Sequence, residues 1–288
     1  MTTPSVPEDN GPPSTDGSPT GEAPADPWVG LRRFTAARIG QGRVGHSQTT
    51  AAQLQFQLDH ARARDAVHAQ LDRTRLDNAL APFGLPRLWL HSQASDRAHY
   101  LRRPDLGRRL DGASRSQLED QRGPSDLALV IADGLSATAI DRHAPPFLAA
   151  LLPLLAGESW RLAPLSIVEQ GRVAVGDEVA ATLGARMVLV LIGERPGLSA
   201  PDSLGLYLTW APRSAQQGGR QDSERNCISN VRQGGMSYAE AAVKSHYLLR
   251  EARRRQLTGV ELKDDAPAGA IVAQAPVRDN TLGSAPEA

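Results

Sequence analysis

The stretch that decides the fold is residues 127–194, which begins LALVIADGLS at position 127 and reaches MVLVLIGERPG at position 187. Three apolar runs, at 127–132, 162–168 and 187–192, each stop near a Gly, Asp or Glu. Short apolar runs of this kind are typical of strands buried on both faces. Because helical patterns separate them, they predict βαβ units and an α/β fold with a parallel sheet. Ligands on such sheets bind outside the carboxyl ends of the strands.

Composition divides the rest of the chain. Residues 1–27 hold seven of the 21 prolines and little apolar surface, which predicts a disordered tail. Residues 28–123 predict a helical N-terminal region with one long helix over 49–80. Residues 124–265 contain the α/β core, and residues 266–288 predict a second disordered tail.

Within the core, a helix is expected over 136–155, interrupted by the proline pair at 145–146. A crossover helix is expected over 173–184, and a strand near an edge over 204–210. The clearest helix covers 236–256 and begins at a serine cap, Ser237.

Bulk composition excludes several function classes. Basic and acidic residues both number 32, so no basic excess points to nucleic acid. The single cysteine, Cys227, excludes an internal disulfide and a four-thiolate metal site, and it fits a reducing compartment. We see no signal peptide and no run of about 18 apolar residues, so we expect a soluble, cytoplasmic protein without a membrane span.

Two motifs suggest chemistry. Gly40, Gly42 and Gly45 match the dinucleotide fingerprint G-x-G-x-x-G, but a charged segment precedes them where a buried strand is required, so a loop is favoured. Ser136 lies in GLSAT after the first strand, close to the nucleophile elbow G-x-S-x-G. A helix cap is the simpler interpretation of Ser136, because a triad would also need an acid and then a histidine downstream, for which His246 is the candidate. A stand-alone serine hydrolase using Ser136 remains an alternative.

Three further residues are candidates for binding. Glu194 follows a strand and lies between glycines and a proline, which indicates a backbone that approaches something closely; a salt-bridged turn acid is the alternative. Cys227 alone predicts a buried small hydrophobic residue. Tyr100 and the arginines at 102, 103, 108 and 109 share a short segment and could dock a partner, since Arg and Tyr are enriched in protein interfaces.

Taken together and in order, several stretches of the chain resemble the ethanolamine ammonia-lyase small-subunit family. The resemblance is carried by YLRRPDLGRRL at 100–110, VIADGLSATAIDRH at 130–143, VAVGDE at 173–178, LIGERPGLSAPDSLG at 191–205 and RNCISNVR at 225–232.

The resemblance implies a Rossmann-like, cobalamin-binding α/β domain preceded by a helical N-terminal region that contacts the large subunit. It implies an adenosylcobalamin-dependent radical conversion of ethanolamine to acetaldehyde and ammonia. The large subunit would hold the substrate, and this chain would be a non-catalytic, cofactor-binding subunit of a hetero-oligomer. The enzyme would be cytoplasmic, with a bacterial microcompartment as a further expectation. A pure assembly protein whose cobalamin site has been lost is another alternative.

The resemblance also implies site residues. Cobalamin contacts fall on Val173, Glu194 and Cys227. The resemblance further implies Arg195, Asn226 and Ser229 as neighbours of these contacts. No catalytic residue and no protein metal ligand is expected on this chain.

One histidine motif is a near miss. His143, in DRHAPP at 141–146, departs from D-x-H-x-x-G, the motif through which one cobalamin-binding class ligates cobalt, because a proline replaces the glycine. A surface or partner-facing histidine is therefore expected at His143, and the benzimidazole of the cofactor is expected to stay on cobalt.

Overall fold

The computed structural model describes residues 26–35, 37–214 and 217–266. The chain forms two compact units that divide between Gln57 and Leu58. The predicted tails at 1–27 and 266–288 lie outside the described residues except for positions 26, 27 and 266.

The described part of the first unit is small and has no buried residue. It contains a 3₁₀ turn over Val29–Phe34, the antiparallel strands β1 (Arg43–Val44) and β2 (Ser47–Gln48), and the start of helix α1 (Thr50–His68). A segment that buries nothing of its own lacks the apolar burial that normally offsets the entropy of ordering.

The second unit contains the rest of α1 and the α/β core. In chain order its further elements are α2 (Arg73–Leu80), β3 (Arg87–His91), α3 (Arg97–Arg102), α4 (Gly112–Glu119), β4 (Ser125–Ala132), α5 (Ala137–Ala156), β5 (Leu165–Glu169), α6 (Val175–Leu183), β6 (Ala185–Gly193), β7 (Leu204–Trp210), β8 (Arg225–Val231) and α7 (Tyr238–Arg255).

These strands form one sheet of six in the order β3-β5-β4-β6-β7-β8. The first four are mutually parallel, and β7 is antiparallel to both β6 and β8. The predicted α/β fold with a mostly parallel sheet is therefore confirmed. The sequence missed both edge strands: β3 falls in the region predicted to be helical, and β8 was not predicted.

The core has two apolar layers, one on each face of the sheet. Every residue of β4 is buried, as the sequence predicts. Leu127, Leu129 and Ile131 point to the face covered by α5 and α7, whereas Ala128 and Val130 point to the face covered by α6. Because β8 is an edge strand, the α6 face stays partly open beside it.

Two helix predictions were wrong. The helix expected over 49–80 is broken, because the Asp72 carboxylate accepts the Arg75 N–H at 2.9 Å and caps a new helix, α2. Helix α5 runs through its prolines without interruption. Its buried apolar stripe, which includes Phe147 and Leu151, packs on the sheet and offsets the hydrogen bonds that the prolines lose. The cap at Ser237 is confirmed, with the Glu240 N–H donating to it at 3.2 Å.

No helix in the described ranges combines the length and the apolar character that crossing a bilayer requires.

Candidate functional site

The candidate site lies where the turns after β4 and β6 meet at the carboxyl edge of the sheet. A Cβ on Gly134, whose φ is +58°, would lie 2.3 Å from the Gly193 carbonyl oxygen. A Cβ on Gly193 would lie 2.1 Å from the carbonyl oxygen of Ser136. The two turns therefore touch through their backbones, and this contact sets the point at which Glu194 leaves the sheet.

Glu194 is held on both sides by backbone groups. Its N–H donates to the Ser203 carbonyl at 2.9 Å, and its carboxylate accepts the Asn230 N–H at 3.2 Å. Oε1 lies over Gly205, where an added Cβ would be 3.0 Å away. Across the described ranges no ion pair involves Glu194, so the alternative of a salt-bridged turn acid was wrong. The half-buried carboxylate can accept a further hydrogen bond.

The structure brings Glu194 and Cys227 together through Tyr207. Tyr207 and Cys227 are register partners on β7 and β8, and the Tyr207 ring and the Glu194 carboxylate both lie over Gly205. Desolvation raises the pKa of the Cys227 thiol, the neighbouring Tyr207 hydroxyl opposes this, and the Glu194 charge adds to it. Desolvation, Cys227 and Glu194 all raise the pKa of the Tyr207 hydroxyl.

The expectation that Cys227 is buried was wrong. Cys227 is exposed because it lies on the open side of the edge strand β8. The sequence did not single out Tyr207, although it interrupts the apolar run of β7 as a half-buried polar residue.

Val173 lies on the same side of the sheet. It is half-buried just before α6 and packs on an apolar cluster that also contacts Tyr207. Arg225 shows which side chains of β8 face α6, because its guanidinium pairs with Asp177 of α6 at 2.6 Å. Because side chains alternate along a strand, Cys227 and Ser229 face the same way as Arg225. All three predicted contact residues therefore face the α6 side.

The three implied neighbours of these contacts differ from one another. Arg195 and Ser229 are exposed. Asn226 instead fixes the segment after α7, because its amide donates to the Leu262 carbonyl at 2.8 Å and accepts the Gly259 N–H at 2.8 Å. Asn226 therefore has a structural role.

The turn before Val173 rests on a buried cluster. Tyr100 is fully buried between two guanidinium groups, with Arg97 4.8 Å and Arg172 4.2 Å from its ring centroid. Its hydroxyl donates to the Gly171 carbonyl at 3.2 Å. Tyr100 therefore packs on the core of its own chain and is not available to a partner, whereas the arginines at 102, 103, 108 and 109 are exposed and stay candidates for partner contact. Burial raises the pKa of Asp133, 3.7 Å from Arg97, to about 6.

The geometry does not support a hydrolase. The Ser136 hydroxyl caps α5 by accepting the Ala139 N–H at 3.3 Å, and it donates to the Pro201 carbonyl at 3.0 Å. His246 lies 3.2 Å from Glu158, beyond the far end of α5. A helix of that length spans about 30 Å, so Ser136 and His246 cannot form a triad.

The remaining motifs have structural explanations. His143 is buried, not surface or partner-facing as expected, because its ring lies between α5 and α7 with Nδ1 2.9 Å from the Tyr238 hydroxyl. Gly40, Gly42 and Gly45 belong to the turns around β1 and β2, and a 3₁₀ turn precedes them where the nucleotide fingerprint requires a strand. In the part of the chain that the structure describes, no three His, Cys, Asp or Glu residues group as a metal site.

Comparison with known proteins agrees with the resemblance. The profile of the family described as ethanolamine ammonia-lyase light chain (EutC) matches residues 25–263, most of the chain. The chain belongs to this family. The matched span includes every motif that carried the resemblance and all of the candidate site.

Curated members of the ethanolamine ammonia-lyase family are similar over nearly the same span. The ethanolamine ammonia-lyase small subunit of Azotobacter vinelandii is 57% identical over 256 residues, covering 88% of this chain and 92% of that protein. The small subunit of Pseudomonas syringae pv. tomato is 56% identical over 248 residues, covering 85% of each chain. That of Xanthomonas campestris pv. campestris is 56% identical over 247 residues, covering 84% and 89%.

Proposed function

We propose that this chain is the cobalamin-binding, non-catalytic small subunit of an adenosylcobalamin-dependent ethanolamine ammonia-lyase, which converts ethanolamine to acetaldehyde and ammonia. The observation that carries the proposal is that Glu194, Tyr207, Cys227 and Val173 share the α6 face of the sheet. Glu194 leaves the carboxyl edge of the sheet at the end of β6, and Tyr207 and Cys227 lie three residues inside that edge. This edge is where ligands of parallel sheets bind.

The chemistry of these residues fits a corrinoid. The periphery of a cobalamin carries amide groups, and the Glu194 carboxylate retains capacity to accept an amide N–H beyond its bond from Asn230. Val173 and the ring of Tyr207 offer apolar surface, and the open strip along β8 leaves Cys227 accessible. When bound, adenosylcobalamin supplies the radical that abstracts hydrogen from the substrate, while the protein supplies orientation and seclusion from water.

The first unit has the features of a surface that binds a partner protein. Its largest apolar side chains are exposed, with Phe34 at 72%, Trp28 at 62% and Leu54 at 61%. Residues 26–57 carry four arginines and one aspartate, a net charge of +3 with histidine neutral. Like charges disfavour pairing with a second copy of this segment. We propose that it docks on a face of the large subunit that combines apolar and acidic groups, and that this docking forms the hetero-oligomer.

The test is cobalamin binding by the complex co-expressed with the large subunit. Glu194→Gln keeps the side-chain size but removes the charge, and it should weaken binding about 10-fold or more, since a hydrogen bond to a charged acceptor is worth about 1.5–3 kcal/mol. Glu119→Gln, on the exposed end of α4, is the matched control and should bind as wild type does. The isolated small subunit should show no lyase activity.

The outcomes separate this function from its alternative. An active complex whose cobalamin affinity is unchanged by Glu194→Gln, Tyr207→Phe and Cys227→Ser would favour a pure assembly protein. Location in the cytoplasm, inside or outside a bacterial microcompartment, stays a prediction that cell fractionation can check.

A further inference from the structure

The loop between β6 and β7, residues 194–203, is fastened to α5 near its end. The Ser136 hydroxyl at the start of α5 donates to the Pro201 carbonyl at 3.0 Å. Asp202, the next residue of the loop, accepts a hydrogen bond at Oδ2 from Arg142 Nη1 at 2.7 Å. His143 Nε2 lies 3.5 Å from the same oxygen. A loop that carries a binding residue is thus tied to a rigid helix.

His143 extends this attachment to α7. The ring is only 4% exposed, and Nδ1 lies 2.9 Å from the hydroxyl of Tyr238, the first residue of α7. Burial lowers the pKa of His143, so the ring is neutral near pH 7. Nε2 is buried with no hydrogen-bond partner among the described residues, and Asp202 Oδ2 lies 3.5 Å from it, so their contact is electrostatic. Although burial alone would raise the pKa of the Asp202 carboxyl, Arg142 and His143 lower it, so Asp202 is ionised near pH 7.

The attachment reaches Glu194 through one peptide unit. Ser203 follows Asp202, and its carbonyl accepts the Glu194 N–H at 2.9 Å, which closes the loop at its base. On the other side the Glu194 carboxylate accepts the Asn230 N–H. A shift of Asp202 would therefore move the residue that fixes the Glu194 backbone.

We propose that Asp202, held by Arg142 and His143, is a positioning residue that fixes the Glu194 carboxylate for the cofactor. The proposal rests on the proposed function, because it gives Asp202 no contact of its own with cobalamin. It gives a reason for the burial of His143 and for the helix cap at Ser136, neither of which is needed for direct contact with the cofactor.

A double-mutant cycle on the complex with the large subunit tests this. Cobalamin dissociation constants are measured for wild type, Asp202→Asn, Glu194→Gln and the double variant. Asp202→Asn should weaken binding about 10-fold in wild type and less than about 2-fold beside Glu194→Gln, because residues that act as a unit are not additive. Arg142→Gln, with a 57% exposed side chain, should behave in the same way without endangering folding.

The control is Asp126→Asn. Asp126, like Asp202, is an aspartate that pairs with an arginine, Arg161 at 3.2 Å, but it is buried at the start of β4, at the opposite end of the strands. It should leave cobalamin affinity within about 2-fold of wild type even if the melting temperature falls, since it is not linked to the site.

The two proposals fail in different ways. If Glu194→Gln weakens binding but Asp202→Asn and Arg142→Gln cause the same loss in both backgrounds, the positioning role is wrong and the proposed function stands. If Glu194→Gln leaves affinity unchanged, both the role of Glu194 and the positioning role are wrong.

Discussion

Replacing Gly193 by alanine should damage the junction that positions the site. The added Cβ would lie 2.1 Å from the Ser136 carbonyl oxygen and 2.6 Å from that of Asp133. Both atoms are backbone, so the turn itself must move by about 1 Å to reach an ordinary contact. That movement would also strain the hydrogen bond from Leu135 N–H to the Gly193 carbonyl, which is 2.9 Å long.

Overpacking of a tight core contact costs about 1–3 kcal/mol, and weakening one hydrogen bond adds about 1 kcal/mol. For a domain of this size each kcal/mol lowers the melting temperature by about 2–4 °C, so a loss of about 3 kcal/mol predicts a fall of about 6–12 °C. The assay is calorimetric or circular-dichroism melting of the chain.

The matched control is Gly112→Ala, in the first turn of α4, where an added Cβ would meet nothing within 4 Å. Its melting temperature should be unchanged or slightly raised, because alanine restricts the unfolded chain. If Gly193→Ala melts within about 1 °C of Gly112→Ala, where about 6–12 °C is expected, the close contact between the two turns is refuted.

Three more outcomes follow from buried polar groups. Burial raises the folded-state pKa of Asp133 to about 6, so as pH falls the folded state binds this proton before the unfolded chain does. The stability of the wild type relative to Asp133→Asn should therefore rise by up to ~3 kcal/mol as pH falls from ~7 to ~4. Urea titrations at each pH measure this difference, and no change with pH would contradict the prediction. Removing Asp177 or Arg225 alone should cost about 3–5 kcal/mol in unfolding free energy, whereas an apolar double replacement should cost less; equal costs would argue against the buried pair. Ser136→Ala should cost about 1 kcal/mol as a lost helix cap, and labelling of Ser136 in the wild-type chain by a fluorophosphonate probe would contradict that role.

Sequence alone predicted the centre of the sheet and missed its edges. Strands β4 and β6 are buried on both faces, so their apolar runs could be recognised without knowledge of their neighbours. Strand β8 has polar residues on an open side, and its pattern becomes meaningful only beside β7. Strand β3 is short and half-buried and follows a helical stretch, so its place in the sheet depends on long-range pairing with β5.

The candidate site was predictable only in part. The glycines around Glu194 indicated a specified backbone; the structure explains Gly193 by its close contact with the turn after β4, whereas a Cβ on Gly197 would meet only an ordinary contact at 3.7 Å. Val173 and Cys227 came from the family resemblance, since nothing in the local sequence marks either one. The grouping of Glu194 with Cys227 depends on Tyr207, which lies between them only because β7 pairs with both β6 and β8.

Helix ends were also predictable only where the local sequence marks them. Ser237 was recognisable as a cap because the pattern of α7 begins directly after it. The break at Asp72 was missed because helical periodicity continues on both sides of it. His143 was expected at the surface because its motif departs from the cobalt-ligating pattern, whereas its burial results from the packing of α5 against α7.

A cryo-electron microscopy map of the complex with the large subunit and adenosylcobalamin would decide the main claim most directly. We predict a corrin ring at the carboxyl edge of the sheet, in contact with Glu194 and Cys227 and enclosed on its other side by the large subunit. A map in which the corrin lies elsewhere, with Glu194 and Cys227 facing solvent, would contradict the account.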